Sequence, residues 1–164
     1  PNLTILKNTA MKKIISAAVL ATAMFLLTGC PYESDVPVDH PSIPISKKLL
    51  GSFEERKSHD VYVVTMKDQM TYRIVKDKDT LSAFVSLVDG ITFLNLWDES
   101  VTARKYSLYK LDMDFNLNLE LSEVTENITE KFSTTNELKK FISANMNNSY
   151  FFGKEKISLT RLGN

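Results

Sequence analysis

Hydrophobic and polar residues alternate with a period of two through much of the chain after residue 60. One alternating run contains Tyr62, Val64 and Met66, and the next contains Met70, Tyr72 and Ile74. Such alternation is typical of a strand with one buried face, and a polar tripeptide at 67–69 separates the two runs. The pattern therefore predicts a β-hairpin in this region.

A second predicted hairpin has a more specific turn. Residues 81–88 and 91–97 are rich in apolar side chains, and Asp89 and Gly90 join them. An Asp-Gly pair readily adopts the positive φ angles that a two-residue hairpin turn requires. Further strands are predicted at 49–53, 105–111 and 155–162. Unbroken alternation over 111–121 predicts a half-buried strand or hairpin with one polar face.

One helix is predicted near the C-terminus, where the apolar period changes from that of a strand to that of a helix. Thr134 and Glu137 have the spacing of a capping box. The apolar stripe that follows comprises Leu138, Phe141, Ile142 and Met146. Asn147 suits the end of this helix, and a shorter turn is expected at 125–132. The stripe is expected to pack on the sheet or to close one end of a barrel.

These elements predict a mainly β fold with a minor α contribution. The expected architecture is an antiparallel meander or a small β-barrel of about seven to eight strands, with one helix in the C-terminal half packed against it. We expect residues 47–164 to form a single β-rich globular domain, because 118 residues are enough for one hydrophobic core.

The N-terminal region has a different pattern, in which a continuous apolar run at 14–27 follows Lys12 and Lys13. A positive start, a short apolar run and small residues at its end predict a secretory signal at 11–29. The run is shorter than the roughly 20 apolar residues that span a bilayer. Residues 1–10 carry none of these features and are interpreted as an upstream extension.

Leu27, Thr28 and Gly29 are followed by Cys30, and this tetrapeptide resembles the lipobox of bacterial lipoproteins. The resemblance implies that Cys30 is the lipid attachment site and that signal peptidase recognises the three residues before it. The partners implied are the membrane, through the lipid, and the machinery for export, lipidation and cleavage. The implied location is the cell envelope.

Pro31 follows the cysteine, at the position where aspartate would retain a lipoprotein at the inner membrane. In a cell with two membranes we therefore expect the outer membrane, facing the periplasm, and otherwise the outer face of the cell membrane.

Four prolines, Pro31, Pro37, Pro41 and Pro44, recur between the cysteine and the predicted domain. Proline at this frequency disfavours helices and central strands, and it favours an extended, semi-rigid backbone. Residues 30–46 are therefore predicted to be the lipidated cysteine and a tether.

Charge and cysteine content exclude some classes of function. The chain has 20 basic and 20 acidic residues, and removal of the predicted signal leaves 17 basic against 20 acidic. A weakly acidic protein without a basic cluster is not expected to bind nucleic acid. The only cysteine is assigned to lipid, so the domain is expected to have no disulfide.

No catalytic motif is recognised, and we expect a protein that is not an enzyme and has no cofactor and no metal. His40 and His59 lie outside any metal-binding motif. Oxygen-bearing side chains recur at calcium-loop spacing at Asp112, Asp114, Asn116, Asn118, Glu120 and Glu123. Leu117 occupies the position that needs glycine, so a polar strand face is the preferred interpretation. Asp98 and Glu99 beside Trp97 leave a carboxylate-dependent hydrolase as an alternative.

Two resemblances concern the part of the chain after the signal. The run Leu49-Leu50-Gly51-Ser52-Phe53 resembles the Gly-x-Trp start of lipocalin-like barrels, with Phe53 in place of the usual tryptophan. The segments at 30–34, 49–53, 93–95 and 106–111 resemble small bacterial lipoproteins whose function is not established.

The function implied is a module that binds a small apolar or amphipathic ligand, and the alternative is an envelope assembly or interaction protein. An apolar cavity would favour the first function. The residues expected to line such a cavity are Phe84, Phe93, Leu96 and Tyr106.

Overall fold

The computed structural model describes residues 32–125 and 127–163. The predicted signal, Leu27, Thr28, Gly29 and the lipidation site Cys30 lie outside the described residues. The strands are β1 (Glu33–Ser34), β2 (Gly51–Glu55), β3 (Val61–Met66), β4 (Tyr72–Lys76), β5 (Asp79–Val88), β6 (Ile91–Asp98), β7 (Tyr106–Met113), β8 (Leu119–Val124) and β9 (Phe152–Arg161). A short 3-10 helix spans Lys47–Leu49, and the α-helix, α1, spans Thr135–Asn145.

Strands β2 to β9 form a closed antiparallel barrel. Each strand pairs with the next one in the chain, and β9 returns to pair with β2. This eight-stranded up-and-down order is that of lipocalin-like barrels. Strand β1 is a ninth strand, which pairs with the start of β7 outside the closed circuit. The predicted mainly β barrel with one helix in the C-terminal half is confirmed.

Two of the turns between neighbouring strands contain residues with positive φ angles. Asp89 and Gly90 have φ angles of 51° and 80°, which confirms the predicted tight turn between β5 and β6. The alternating run at 111–121 is a hairpin and not one strand. It is interrupted by a turn in which Leu117 has a φ of 62° and Asp114 accepts hydrogen bonds from the backbone N–H groups of Asn116 and Asn118.

Helix α1 begins with the predicted capping box. The N–H of Glu137 donates to the Thr134 hydroxyl over 3.3 Å, and the N–H of Thr134 donates to the Glu137 carboxylate over 3.2 Å. Both bonds satisfy backbone donors that the first turn of a helix leaves unpaired. The expected turn at 125–132 is, in its described residues, a single turn in which the N–H of Ile128 donates to the carbonyl of Thr125.

The main hydrophobic core lies outside the barrel, and we call it the outer core. It is enclosed between the outer faces of β5, β6 and β7, helix α1 and the segment 32–38. Its principal residues are Tyr32, Val38, Phe84, Phe93, Trp97, Tyr106, Leu108, Leu138, Ile142, Met146 and Phe151. Edge-to-face aromatic contacts connect the Trp97 ring with those of Phe84 and Tyr106, with ring centroids 5.9 Å and 5.8 Å apart.

The segment predicted to be a tether is packed against the barrel over its described part. Tyr32, Ser34 and Val38 are buried. The backbone N–H of Val38 donates to the Asn95 side chain over 2.7 Å, and Asn95 is itself fully buried. The prolines do keep this backbone out of a helix. Apolar residues between the prolines nevertheless complete the outer core. The first part of the predicted tether, 32–38, is therefore packed on the barrel and is not a free spacer.

Candidate ligand cavity inside the barrel

The inner face of the barrel is apolar but does not fill the space that it encloses. A cavity of about 310 Å³ lies among side chains that alternate with the outward-facing ones on seven strands. Most of its lining is aliphatic, and typical members are Val64, Ile74, Leu94, Leu96, Leu121, Ile157 and Leu159. An eight-stranded barrel has an interior just wide enough for its own side chains or for one small ligand. The interior of this barrel is not filled by its own side chains.

One end of the barrel, which we call the closed end, is covered by the chain that leads into β2. Leu49, in the 3-10 helix, packs against the inner residues. The Arg161 guanidinium lies 4.8 Å from the centre of the Phe53 ring, and it donates to the backbone carbonyls of Lys48 and Leu50. This end is therefore fastened by backbone hydrogen bonds and by a cation–π contact.

Gly51 is required at the closed end by two independent features. Its φ is 130°, which L side chains rarely adopt. A Cβ atom at this position would also lie 2.8 Å from Nη1 of Arg161. The Gly51-x-Phe53 start of β2 thus has a structural reason that the sequence did not show, since nothing in the sequence connects Arg161 with it.

The opposite end, which we call the open end, carries charged side chains at the cavity rim. Lys76, Asp79 and Asp98 belong to the lining there, and both aspartates are exposed to solvent. Lys76 is paired with Asp60 over 2.6 Å, and its hydrogen bond lowers the pKa of Asp60. Hydrogen bonds from Ser100 lower the pKa of Asp98, so that Asp98 stays ionised well below neutral pH.

Of the three tyrosines that line the cavity, Tyr62 and Tyr109 have hydroxyl groups that lie beside carboxylates. The Tyr109 hydroxyl donates to the Glu123 carboxylate over 3.1 Å, and the Tyr62 hydroxyl donates to Glu55 over 3.2 Å. Burial, together with the adjacent Glu123 charge, raises the pKa of Tyr109 far above its ordinary value. Both phenols are therefore neutral hydrogen-bond donors at physiological pH.

The expected cavity residues are only partly correct. Leu96 lines the cavity. Phe84, Phe93 and Tyr106 instead point outward and belong to the outer core. The reason is the period of two: adjacent residues of one strand face opposite sides, so Phe93 and Leu94 cannot both face the interior. Both faces of β6 are apolar, and the sequence pattern alone does not say which one encloses the cavity.

The oxygen-bearing residues at 112–123 do not converge on one point. Asp112 pairs with Lys110 over 2.9 Å, Glu120 pairs with Lys156 over 2.5 Å, and Glu123 lies on the inner face beside Tyr109. The hairpin distributes them over two faces and a turn. In the described ranges, no three His, Cys, Asp or Glu side chains form a group able to hold a metal ion.

The acidic pair that motivated a hydrolase alternative is also separated. Asp98 accepts a hydrogen bond from the backbone N–H of Ser100, whereas Glu99 pairs with Lys67 over 2.8 Å and also contacts Ser82. Trp97 faces the outer core and not the cavity. These carboxylates therefore do not flank a common space in the way that an acid and a base would.

Comparisons of the chain with protein families, with curated protein sequences and with solved structures find no significant match. In the described residues, no helix has both the length and the hydropathy needed to cross a membrane. The class of protein is therefore defined by the fold itself, as an eight-stranded antiparallel β-barrel with an internal cavity.

Proposed function

We propose that this protein is a non-enzymatic binding module that holds one small apolar or amphipathic molecule inside its barrel. The observation that carries the proposal is the cavity of about 310 Å³, which has an aliphatic lining and a rim of charged groups at one end. Pockets that bind small molecules are mostly apolar, with a few polar groups that orient the ligand. The hydroxyl of Tyr109 and the rim charges are such groups.

The size of the cavity limits the ligand to one short chain or one small ring system. Its volume equals the share of about ten water molecules in liquid water. An eight-carbon chain would gain about 6 kcal/mol from burial, before the cost of lost translational and rotational freedom. We therefore expect dissociation constants between about 40 µM and 1 mM for simple chains.

A change that fills the cavity tests this proposal directly. Leu96 lines the cavity, and Leu96→Phe adds volume where a ligand would lie. Leu87→Phe makes the same change at a side chain that is exposed to solvent and serves as the control. We expect titration calorimetry with octanol to show binding to the wild-type and control proteins, and at least about tenfold weaker binding to Leu96→Phe. Equal affinity for all three proteins, or no binding to any, would refute the proposal.

We further propose that the module is held at the cell envelope by lipid on Cys30, at the outer membrane facing the periplasm where two membranes exist. The support is the lipobox resemblance at Leu27, Thr28, Gly29 and Cys30. Cys30→Ser should abolish labelling with radioactive palmitate and release the protein from membranes. Ser16→Ala, in the apolar run of the signal, should leave both unchanged. Membrane-bound, palmitate-labelled Cys30→Ser protein would show that the anchor is elsewhere.

A role in envelope assembly is a second candidate, and a specific surface feature favours it. Phe115, at the tip of the β7–β8 turn, is fully exposed to solvent, and the nearby Met113 is 41% exposed. Exposed apolar groups of this kind occur at interaction sites. Chemical cross-linking in cells should capture a protein partner with the wild type and not with Phe115→Ser if this function is correct. Capture that is the same with both proteins would exclude Phe115 as the contact.

A further inference from the structure

We propose that the ligand of the barrel is an apolar molecule carrying one cationic group, with its tail in the cavity and its charge at the open end. The chemical class is that of a long-chain amine. This inference rests on the proposed binding function and narrows it. It follows from how charged residues are distributed between the two ends of the inner face.

The open end of the inner face is strongly acidic. Alternation along each strand, counted from the residues that line the cavity, places an acidic residue there on each of five strands: Glu55, Asp79, Asp98, Glu123 and Glu155. Lys76 is the only basic strand residue at that end of the inner face in the described part of the chain. Lys105, in the loop before β7, also borders the space beside Asp98, but it is paired with Asp35. A charged group of a ligand that enters here therefore meets mainly carboxylates.

The ion pairs of this end leave several of those carboxylates uncompensated. Lys76 is already paired with Asp60, and Glu155 is paired with Lys57 over 2.7 Å. Asp79 and Asp98, which belong to the cavity rim, form no ion pair within the described residues. The net field at the rim is therefore negative, and it favours a cation over an anion.

The inner wall below the rim also favours a cation over an anion. Tyr109 uses its only hydroxyl hydrogen in the bond to Oε1 of Glu123. The ionised Glu123 carboxylate can only accept further hydrogen bonds. An ammonium group has three donors and no acceptor, so it complements this arrangement. A ligand carboxylate would add a second negative charge beside the first.

The closed end explains why the cation is expected at the other end. The Arg161 guanidinium already donates to the carbonyls of Lys48 and Leu50 and lies against the Phe53 ring. Its positive charge repels a second cation, and Leu49, Leu111 and Leu159 offer only apolar surface beside it. An amphipathic ligand is therefore oriented with its tail toward Arg161 and its charged group toward Asp79 and Asp98.

Three ligands of equal chain length separate this inference from the general binding function. Titration calorimetry at pH 7 and low salt would compare octylamine, octanol and octanoate with the purified protein. We expect octylamine to bind about threefold to tenfold more tightly than octanol, and octanoate to bind more weakly than octanol by a similar factor. Added salt should reduce these ratios, because the rim is exposed to solvent.

Variants of the rim test whether Asp79 and Asp98 cause the preference. The double variant Asp79→Asn, Asp98→Asn should bring the affinity for octylamine close to that for octanol. Asp112→Asn removes one acid from the outer surface of β7, and it should leave the preference unchanged. Circular dichroism of each variant would confirm that the barrel is folded.

The outcomes have distinct meanings. Preference for octylamine that is lost in the double variant supports the inference. Binding of octanol with no preference for octylamine, or a preference that the double variant keeps, overturns the inference and leaves the binding function standing. Binding of none of the three ligands overturns both.

Discussion

The two sides of the same strands are packed in opposite ways. On β5, β6 and β7, one set of alternating side chains forms the outer core, where Phe84, Phe93 and Leu108 are almost completely buried. The other set faces the interior, where Leu96 and Tyr109 remain only partly buried because they border the cavity. Both sets are apolar. What differs is that helix α1 and the segment 32–38 cover the outer side, while the inner side encloses a cavity of about 310 Å³.

This difference separates stability from binding. Well-packed protein interiors have few empty spaces, and each space means lost contacts for the side chains around it. The outer core has the dense aromatic packing that stabilises a fold, including a contact between the Phe151 and Phe152 rings at 5.0 Å. The outer core stabilises β5, β6 and β7. The barrel can therefore remain folded even though the cavity lowers its stability.

The largest expected effect comes from the same substitution on the two sides. Leu108→Ala removes a fully buried side chain from the outer core and should destabilise the protein by about 3–5 kcal/mol. Leu121→Ala enlarges an existing cavity around a half-buried side chain and should cost only about 1–2 kcal/mol. Urea denaturation measures both free energies of unfolding. Equal costs would show that the inner side contributes as much stability as the outer core.

A somewhat smaller effect is expected from the polar group that fastens the N-terminal segment to the outer core. Asn95 accepts from the N–H of Val38 over 2.7 Å and donates to the Ser86 hydroxyl over 2.8 Å. Asn95→Ala leaves the Val38 N–H buried without a partner, so we expect a loss of about 2–3 kcal/mol.

Hydrogen exchange locates this effect. In Asn95→Ala, the amide of Val38 should exchange much faster while the amides of β3 and β4 change little. Ser86→Ala removes only one of the partners of Asn95, and it should cost about 1 kcal/mol without exposing Val38. Unchanged exchange at Val38 in Asn95→Ala would mean that the segment is held by its apolar contacts alone.

Much of the fold was predictable because local rules determine it. Alternation gave the strands, Asp89 and Gly90 gave a turn, and Thr134 with Glu137 gave the start of α1. These signals depend on residues close in sequence. Closure of the barrel depends on the pairing of β2 with β9, which joins residues more than a hundred positions apart and has no local signal.

The candidate site was less predictable for the same reason. Phe93 and Leu94 are equally apolar, and which one faces the cavity depends on where α1 packs. No sequence pattern marked Arg161 as part of the closed end, because its partners are backbone carbonyls and the ring of Phe53. The prolines of 32–46 predicted an extended backbone but could not show that Val38 would be buried against Asn95.

A moderate effect is expected at the closed end of the barrel, where Arg161 lies against the start of β2. Gly51→Ala combines an unfavourable φ with a clash against Arg161, and we expect a loss of about 1–2 kcal/mol. Gly90→Ala also has a positive φ, but no atom lies within 4 Å of the added Cβ. Thermal unfolding should therefore show a smaller loss for Gly90→Ala. A loss at Gly51 that does not exceed it would mean that the Arg161 side chain moves away freely.

The smallest expected effect concerns an ion pair between the N-terminal segment and α1. Lys139 donates a hydrogen bond to Asp39, and this bond, with a further one from the backbone N–H of His40, lowers the pKa of Asp39. A carboxyl whose pKa is lowered by folding contributes stability above its unfolded pKa of about 3.9, and the contribution is lost as the pH falls through the folded value. Because both side chains are about one third exposed, the pair should contribute less than about 1 kcal/mol.

Urea denaturation from pH 7 to pH 3 should show a smaller decline in the free energy of unfolding for Asp39→Asn than for the wild type. A decline of the same size in both proteins would mean that the segment is held to α1 without help from this charge.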